Sequence, residues 1–312
     1  MHKKLNIFSA NRSAVALSVT LAVIFATTVH ATPLINPIGA FIEISTPTLI
    51  TGSSNNEGDL LILPPDGVLT NDVGGVFENN GFLYNFSKLT NNGIVDNNRW
   101  LENGGVLENN SDFTNNSEFL NANTGVLENN GVFTNNVILF NEAIGFIENR
   151  ADLINNLWLD NSGMLHNTGN LTNEEHLENN GTLHNDIGGT LTNNNYLLNE
   201  GVLDNDGLIT INGFLENRNI LNNHGIIDNN VSLYNLGMLT NTGTLTNNDL
   251  FGNNATLTNN GDLTNNHQLI TNDSFINNDV FDNRAEFTNN GITENTGTFV
   301  NNFLATNEGT LR

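Results

Sequence analysis

The chain has 312 residues, with 33 acidic side chains against nine basic ones, a formal net charge of −24 and no cysteine. So acidic a surface repels nucleic acid and anionic membranes. Without thiols, neither disulfides nor thiolate metal sites can hold the fold together.

Residues 1–31 read as a secretory signal peptide. Lys3, Lys4 and Arg12 form a basic leader, Ser13 to Val29 is apolar and uncharged, and Val29-His30-Ala31 ends in small residues suited to cleavage. The apolar stretch also approaches the length of a membrane span, so an uncleaved anchor is the competing expectation. Cleavage removes three of the nine basic residues and none of the 33 acids, which takes the net charge to −27. No later stretch is apolar enough to span a bilayer. The expected location is therefore secreted or at the cell surface.

Residues 32–66 hold all five prolines (Pro33, Pro37, Pro47, Pro64, Pro65) and two apolar runs, Ala40–Ile44 and Leu60–Leu63. They are expected to form an N-terminal cap or linker that covers the first open rung of a repeat region beginning at Gly67.

From Gly67 onward one phrase repeats, G-x-L-x-N-x, through 39 consecutive units and a truncated fortieth, Gly309 to Arg312. The third position is a large apolar residue in 37 units, the exceptions being Thr293 and Ala305. The fifth is Asn in 37, the exceptions being Ile211 and Thr271. A fixed short period excludes an ordinary globular fold. Six residues is also too short for a helical stripe and is not a heptad. Proline is absent from this region, as expected where nearly every backbone N–H joins a ladder.

Positions 1, 3 and 5 share one parity, so in an extended strand Gly, Leu and Asn face inward and the variable residues face solvent. Asn at the bends tolerates left-handed angles and can stack amide to amide on successive rungs. Four units, beginning at Gly67, Ser117, Val137 and Gly181, have eight residues. Sorting the 39 units by threes gives 13 turns, in which Gly opens nine first units, ten second units and two third units. Both tryptophans and all three tyrosines fall in third units. The expected fold is all-β: a three-sided parallel β-solenoid of about 18 residues per turn, of either hand, over residues 67–312. The chain stops inside a unit, which leaves a rung open for a continuation, end-to-end docking or self-association.

Each side presents outward columns. On the first side, position 4 reads Glu108, Glu128, Glu148, His166, His184, Asp204. A solvated acidic ridge is the plain reading, and a divalent cation on Glu148, His166, His184 and Asp204 the sharper one. No other cofactor is expected. The second side carries Thr114, Thr134, Thr172, Thr192, Thr210, Thr246 and Thr264, interrupted by Asp96, Asp228 and Asp282. Regular threonine arrays resemble the ice-binding faces of some antifreeze proteins, although Thr is also a good strand residue. The third side gathers Phe82, Tyr84, Trp100, Phe140, Trp158, Tyr196, Phe214 and Tyr234. Exposed aromatics on a polar rod suit a protein or glycan partner.

Catalysis finds little support, since no Ser-His-Asp, H-E-x-x-H or phosphate-loop pattern occurs. The acid pair Glu174-Glu175 would be the opening for a β-helical carbohydrate-active enzyme, but parity points Glu175 inward.

Leu127-Glu128-Asn129-Asn130-Gly131 resembles the hexapeptide repeats of triangular acyltransferases. Leu stands here for their usual Ile or Val, Asn dominates the bend, and no long loop bears a catalytic His. The leader followed by a long Asn/Gly-rich repeat resembles the stalk or passenger region of bacterial surface adhesins of the autotransporter and filamentous-haemagglutinin kind. That resemblance implies a secreted structural or adhesive protein rather than an enzyme.

Overall fold

Strands of four residues alternate with tight corners, and each strand pairs in parallel with the strand one turn away. Val95 registers with Phe113, Leu101 with Phe119 and Leu107 with Leu127. The computed structural model describes residues 33–122 and 124–312. Among these, the strands assemble into three parallel sheets of 15, each strand neighbouring the third one along the chain. The molecule is a three-sided parallel β-solenoid of about 15 turns with about 18 residues per turn. The expected leader, residues 1–31, lies outside the described residues.

The 35 residues read as a cap or linker are, from Ile35 on, wound into the same three sheets. Ile35–Asn36 and Ser53–Asn56 open the second-side sheet, Phe41–Ile44 and Asp59–Ile62 the third, and Pro47–Ile50 the first. Glycine opens only two of these five strands, at Gly52 and Gly58, but all keep the inward alternation of the repeat, with Ile44, Ser54, Leu60 and Ile62 buried.

Position 3 fills the core. Leu83, Leu107, Phe119, Phe133, Leu165 and Leu203 are fully buried, each contributing about 1.5–3 kcal/mol before the entropy of ordering is subtracted. Where Phe replaces Leu, rings pack across the interior. Phe113 stacks on Phe133 at 4.8 Å, and Phe119 meets both edge-on at 5.9 and 5.6 Å.

Position 5 builds a second, polar core. Along each side the Asn amides form long chains, Nδ2 of one rung donating to Oδ1 of the next, interrupted only at Ile211 on the second side and Thr271 on the third among the described residues. Asn141 donates to Asn161 at 2.7 Å, Asn161 to Asn179 at 2.8 Å, and Asn179 to Asn199 at 2.7 Å. The other Nδ2 proton goes to a backbone carbonyl on the following side, as from Asn161 to Thr182 at 2.9 Å. That second bond fixes the amide's orientation, because only the NH₂ end can face a carbonyl oxygen. Every fully buried amide inside a ladder is thus satisfied. The exceptions mark where ladders begin or break: Asn36 and Asn71 head their ladders, Asn229 follows Ile211, and the Oδ1 atoms of all three lack a donor.

The corners differ from the expectation. Position 1 sits at the bend rather than inside, so Leu157 and Val231 are exposed there, and Glu175 points outward to accept from Asn195 Nδ2 at 2.8 Å. The bend resets the two-residue alternation, so parity holds only within positions 2 to 5. The backbone ladder nonetheless runs through the corners, as from Asn98 N to Asn79 O at 2.8 Å. The eight-residue units loop out at corners without disturbing register. Each closes a tight turn, such as Gly75 N to Asp72 O and Gly189 N to Asp186 O, both 2.8 Å. Gly74 and Gly188 supply the positive φ these turns need, 76° and 88°.

Position-6 asparagines line the corner between the second and third sides. They form an outer ladder of opposite polarity, with Asn116 donating back to Asn98 and Asn136 back to Asn116.

Candidate functional site

The third side carries the aromatic residues on its outer face, because positions 2 and 4 of every strand point away from the core. Phe82, Tyr84, Trp100, Phe140, Tyr196, Phe214 and Tyr234 are half-buried there, and Trp158 is 36 % exposed. With strands stacked one rung apart, rings in register meet face to face. Trp158 stacks on His176 at 3.9 Å, His176 on Tyr196 at 5.1 Å, Tyr196 on Phe214 at 5.5 Å and Phe214 on Tyr234 at 5.1 Å. A second group lies nearer the N-terminus. Phe82, Tyr84 and Phe86 stack at 6.4 and 6.3 Å, with the Arg99 guanidinium 4.4 Å over Phe82. Trp100 registers with Phe82, and Phe140 with Leu120, which carries the apolar strip between the two groups.

Because successive rings cover one another's faces, the continuous stack offers mainly ring edges to a visitor. His176 was absent from the aromatic set read from sequence, yet it is the link that joins Trp158 to Tyr196. Its Nε2 is buried without a hydrogen-bond partner and lies 3.7 Å from Glu178 Oε2, an ion-pair distance too long for a hydrogen bond.

Beside the rings stand carboxylates with contrasting environments. Burial raises the Asp160 carboxyl above its ordinary range, while the His176 imidazole holds Glu178 below its own. Tyr196 donates from Oη to Glu216 Oε2 at 3.1 Å. Burial first, then the Glu216 charge, pushes the Tyr196 phenol from 10.0 up to about 12. A raised folded-state value means that this phenol's contribution to stability is fully present below pH 10 and is lost as pH rises towards 12. An ultraviolet phenolate titration should therefore show a late step near pH 12 that Tyr196→Phe abolishes. A variant that keeps that step would overturn the assignment.

The first-side column lies in register as expected, Glu148 beside His166, His166 beside His184 and His184 beside Asp204. Its members do not converge as a set. Glu148 Oε2 is engaged by Arg150 at 2.6 Å, and Asp204 Oδ1 accepts from Asn222 at 2.7 Å. The two histidines instead turn towards a corner carboxylate, Asp186, which lies outside the column. On the second side threonine runs extend over at most three rungs, Thr172, Thr192 and Thr210, before Asp228 interrupts; Ile154 separates Thr134 from Thr172.

Among the described residues no helix is long and apolar enough to cross a membrane. Comparison with protein-family models, curated proteins and solved structures finds no match.

Proposed function

We propose that this chain is a secreted or cell-surface structural rod that binds a protein partner along its third side. The observation carrying this reading is the strip of aromatic and aliphatic residues on the outer face of one sheet, on a rod otherwise dominated by Asn, Thr and carboxylates. Apolar surface of this kind, rimmed by polar residues, marks interaction sites. The ring faces are largely consumed by stacking, which favours a flat protein surface over sugar rings needing open aromatic platforms. The acidic charge favours a neutral or basic partner. The resemblance to the stalks of bacterial surface adhesins fits the same role, with the solenoid acting as spacer and one side as contact.

The test is binding of the chain to arrays of immobilised extracellular proteins and of oligosaccharides, before and after Trp100→Ala combined with Trp158→Ala. Truncating a tryptophan at the centre of an interface costs about 2 kcal/mol or more, which is roughly 30-fold in affinity. We expect protein spots to be lost while β-rich circular dichroism is unchanged. Both tryptophans lie on this side, so their fluorescence should also shift on engagement. Unchanged protein binding would remove the third side from the function, and tryptophan-dependent binding confined to oligosaccharides would replace the protein partner with a glycan.

A further inference from the structure

We infer that His166, His184 and Asp186 form a binding site for a single divalent transition-metal ion of the zinc type. The two histidines occupy position 4 of adjacent first-side strands, with their rings 5.4 Å apart and at 85° to one another. Asp186 is the sixth residue of the eight-residue unit that carries His184. Its Oδ2 lies 3.3 Å from His166 Nε2, and its Oδ1 lies 3.9 Å from His184 Nε2. One ligand atom from each of the three residues lies within 4.8 Å of the others. Ligand atoms of a tetrahedral zinc with bonds of about 2.05 Å stand about 3.3 Å apart, so the existing spacing needs only small side-chain rotations. Asp206 stands beside the group, its Oδ2 3.1 Å from the same His184 Nε2, as a second carboxylate able to complete the shell.

The fold explains the aspartate but not the histidines. Asp186 Oδ1 caps its own widened corner, accepting from Ile187 N at 2.8 Å. The matching corner at Asp72 does the same with Val73 N at 2.8 Å, yet the strands that correspond to those of His166 and His184 carry Leu49 and Thr70 rather than imidazoles. The turn therefore needs the carboxylate alone. At the second corner, two histidines have been added on the side to which its free oxygen points. Two imidazoles with carboxylate suit zinc, copper, nickel or cobalt. Calcium, which takes six to eight oxygens, is poorly served.

Isothermal titration of the untagged chain with zinc chloride, and separately with calcium chloride, tests this. We expect one zinc per chain, no calcium heat, and tetrahedral or five-coordinate absorption bands with cobalt. His166→Ala with His184→Ala should weaken zinc about 100-fold or more, Asp186→Asn should also weaken it, and Glu148→Gln with Asp204→Asn should leave it unchanged. The side chains are exposed or half-buried, so circular dichroism should confirm that each variant folds. Zinc heats that survive the double histidine variant, absence of zinc uptake by the unaltered chain, or loss of binding only in the Glu148/Asp204 variant would each overturn the site.

Discussion

Replacing Asn161 by aspartate should lower the unfolding free energy by about 3–5 kcal/mol, although the two side chains are nearly the same size. Asn161 is fully buried, donates to Asn179 Oδ1 and Thr182 O, and accepts from Asn141 Nδ2. A carboxylate would set acceptor against acceptor at both donated bonds and leave a charge in a dry interior. The chain already contains the informative comparison. At Ile211 an apolar residue interrupts the second-side ladder. There Asn193 Nδ2 finds other acceptors, the backbone oxygens of Asn195 and Phe214, and only Asn229 Oδ1 is left without a donor. Asn161→Ile should therefore cost less, about 1–3 kcal/mol for one orphaned acceptor. Denaturant unfolding at neutral pH tests the order. The aspartate deficit should also shrink as pH falls, because protonation of the introduced carboxyl, raised by burial, restores one donor. An aspartate variant as stable as the isoleucine one would refute the ladder as a donor-acceptor chain.

The inner architecture was readable because it rests on two near-invariant positions. Leu or Phe at position 3 and Asn at position 5 share a parity, and the uneven glycines of the three unit classes identify a three-sided coil. What escaped lies at the corners, where a two-residue alternation says nothing about direction. Glu175 reads as inward from parity and is exposed. Asp186 and Asp206 occupy position 6, so a search down the position-4 column finds Glu148 and Asp204 in their place. The signal existed, since an aspartate two residues after His184 precedes an insertion that widens the corner, but only three dimensions place it one rung from His166. The early rungs from Ile35 escaped for a different reason. Ser54 stands where Leu normally does and glycine opens only two of those five units, at Gly52 and Gly58, although Asn36, Asn56 and Asn79 already form the ladder. Among the aromatics, sequence names the residues but not their stacking, because His176 completes the column without being aromatic in the usual count.

Phe119→Ala should destabilise the protein by about 3–5 kcal/mol, the range for removing a large ring from a tight interior. Phe119 is fully buried and touches Phe113 and Phe133 edge-on, which are themselves stacked across successive turns of the second side. No side chain from a distant turn can close the void, because each rung contacts only its neighbours and the parallel ladders hold their spacing. The same geometry confines the damage. Hydrogen exchange should quicken in the strands Asp112–Asn115, Glu118–Asn121 and Val132–Asn135 and remain near that of the unaltered chain several turns away. Val73→Ala, at a corner residue 81 % exposed, should change stability by no more than about 0.5 kcal/mol. A Phe119→Ala loss below about 1 kcal/mol, or exchange that quickens uniformly along the rod, would mean that the core is not a stack of locally closed layers. A local response would instead establish that each turn supports itself through its two neighbours, so that the outer faces can vary from turn to turn without endangering the coil.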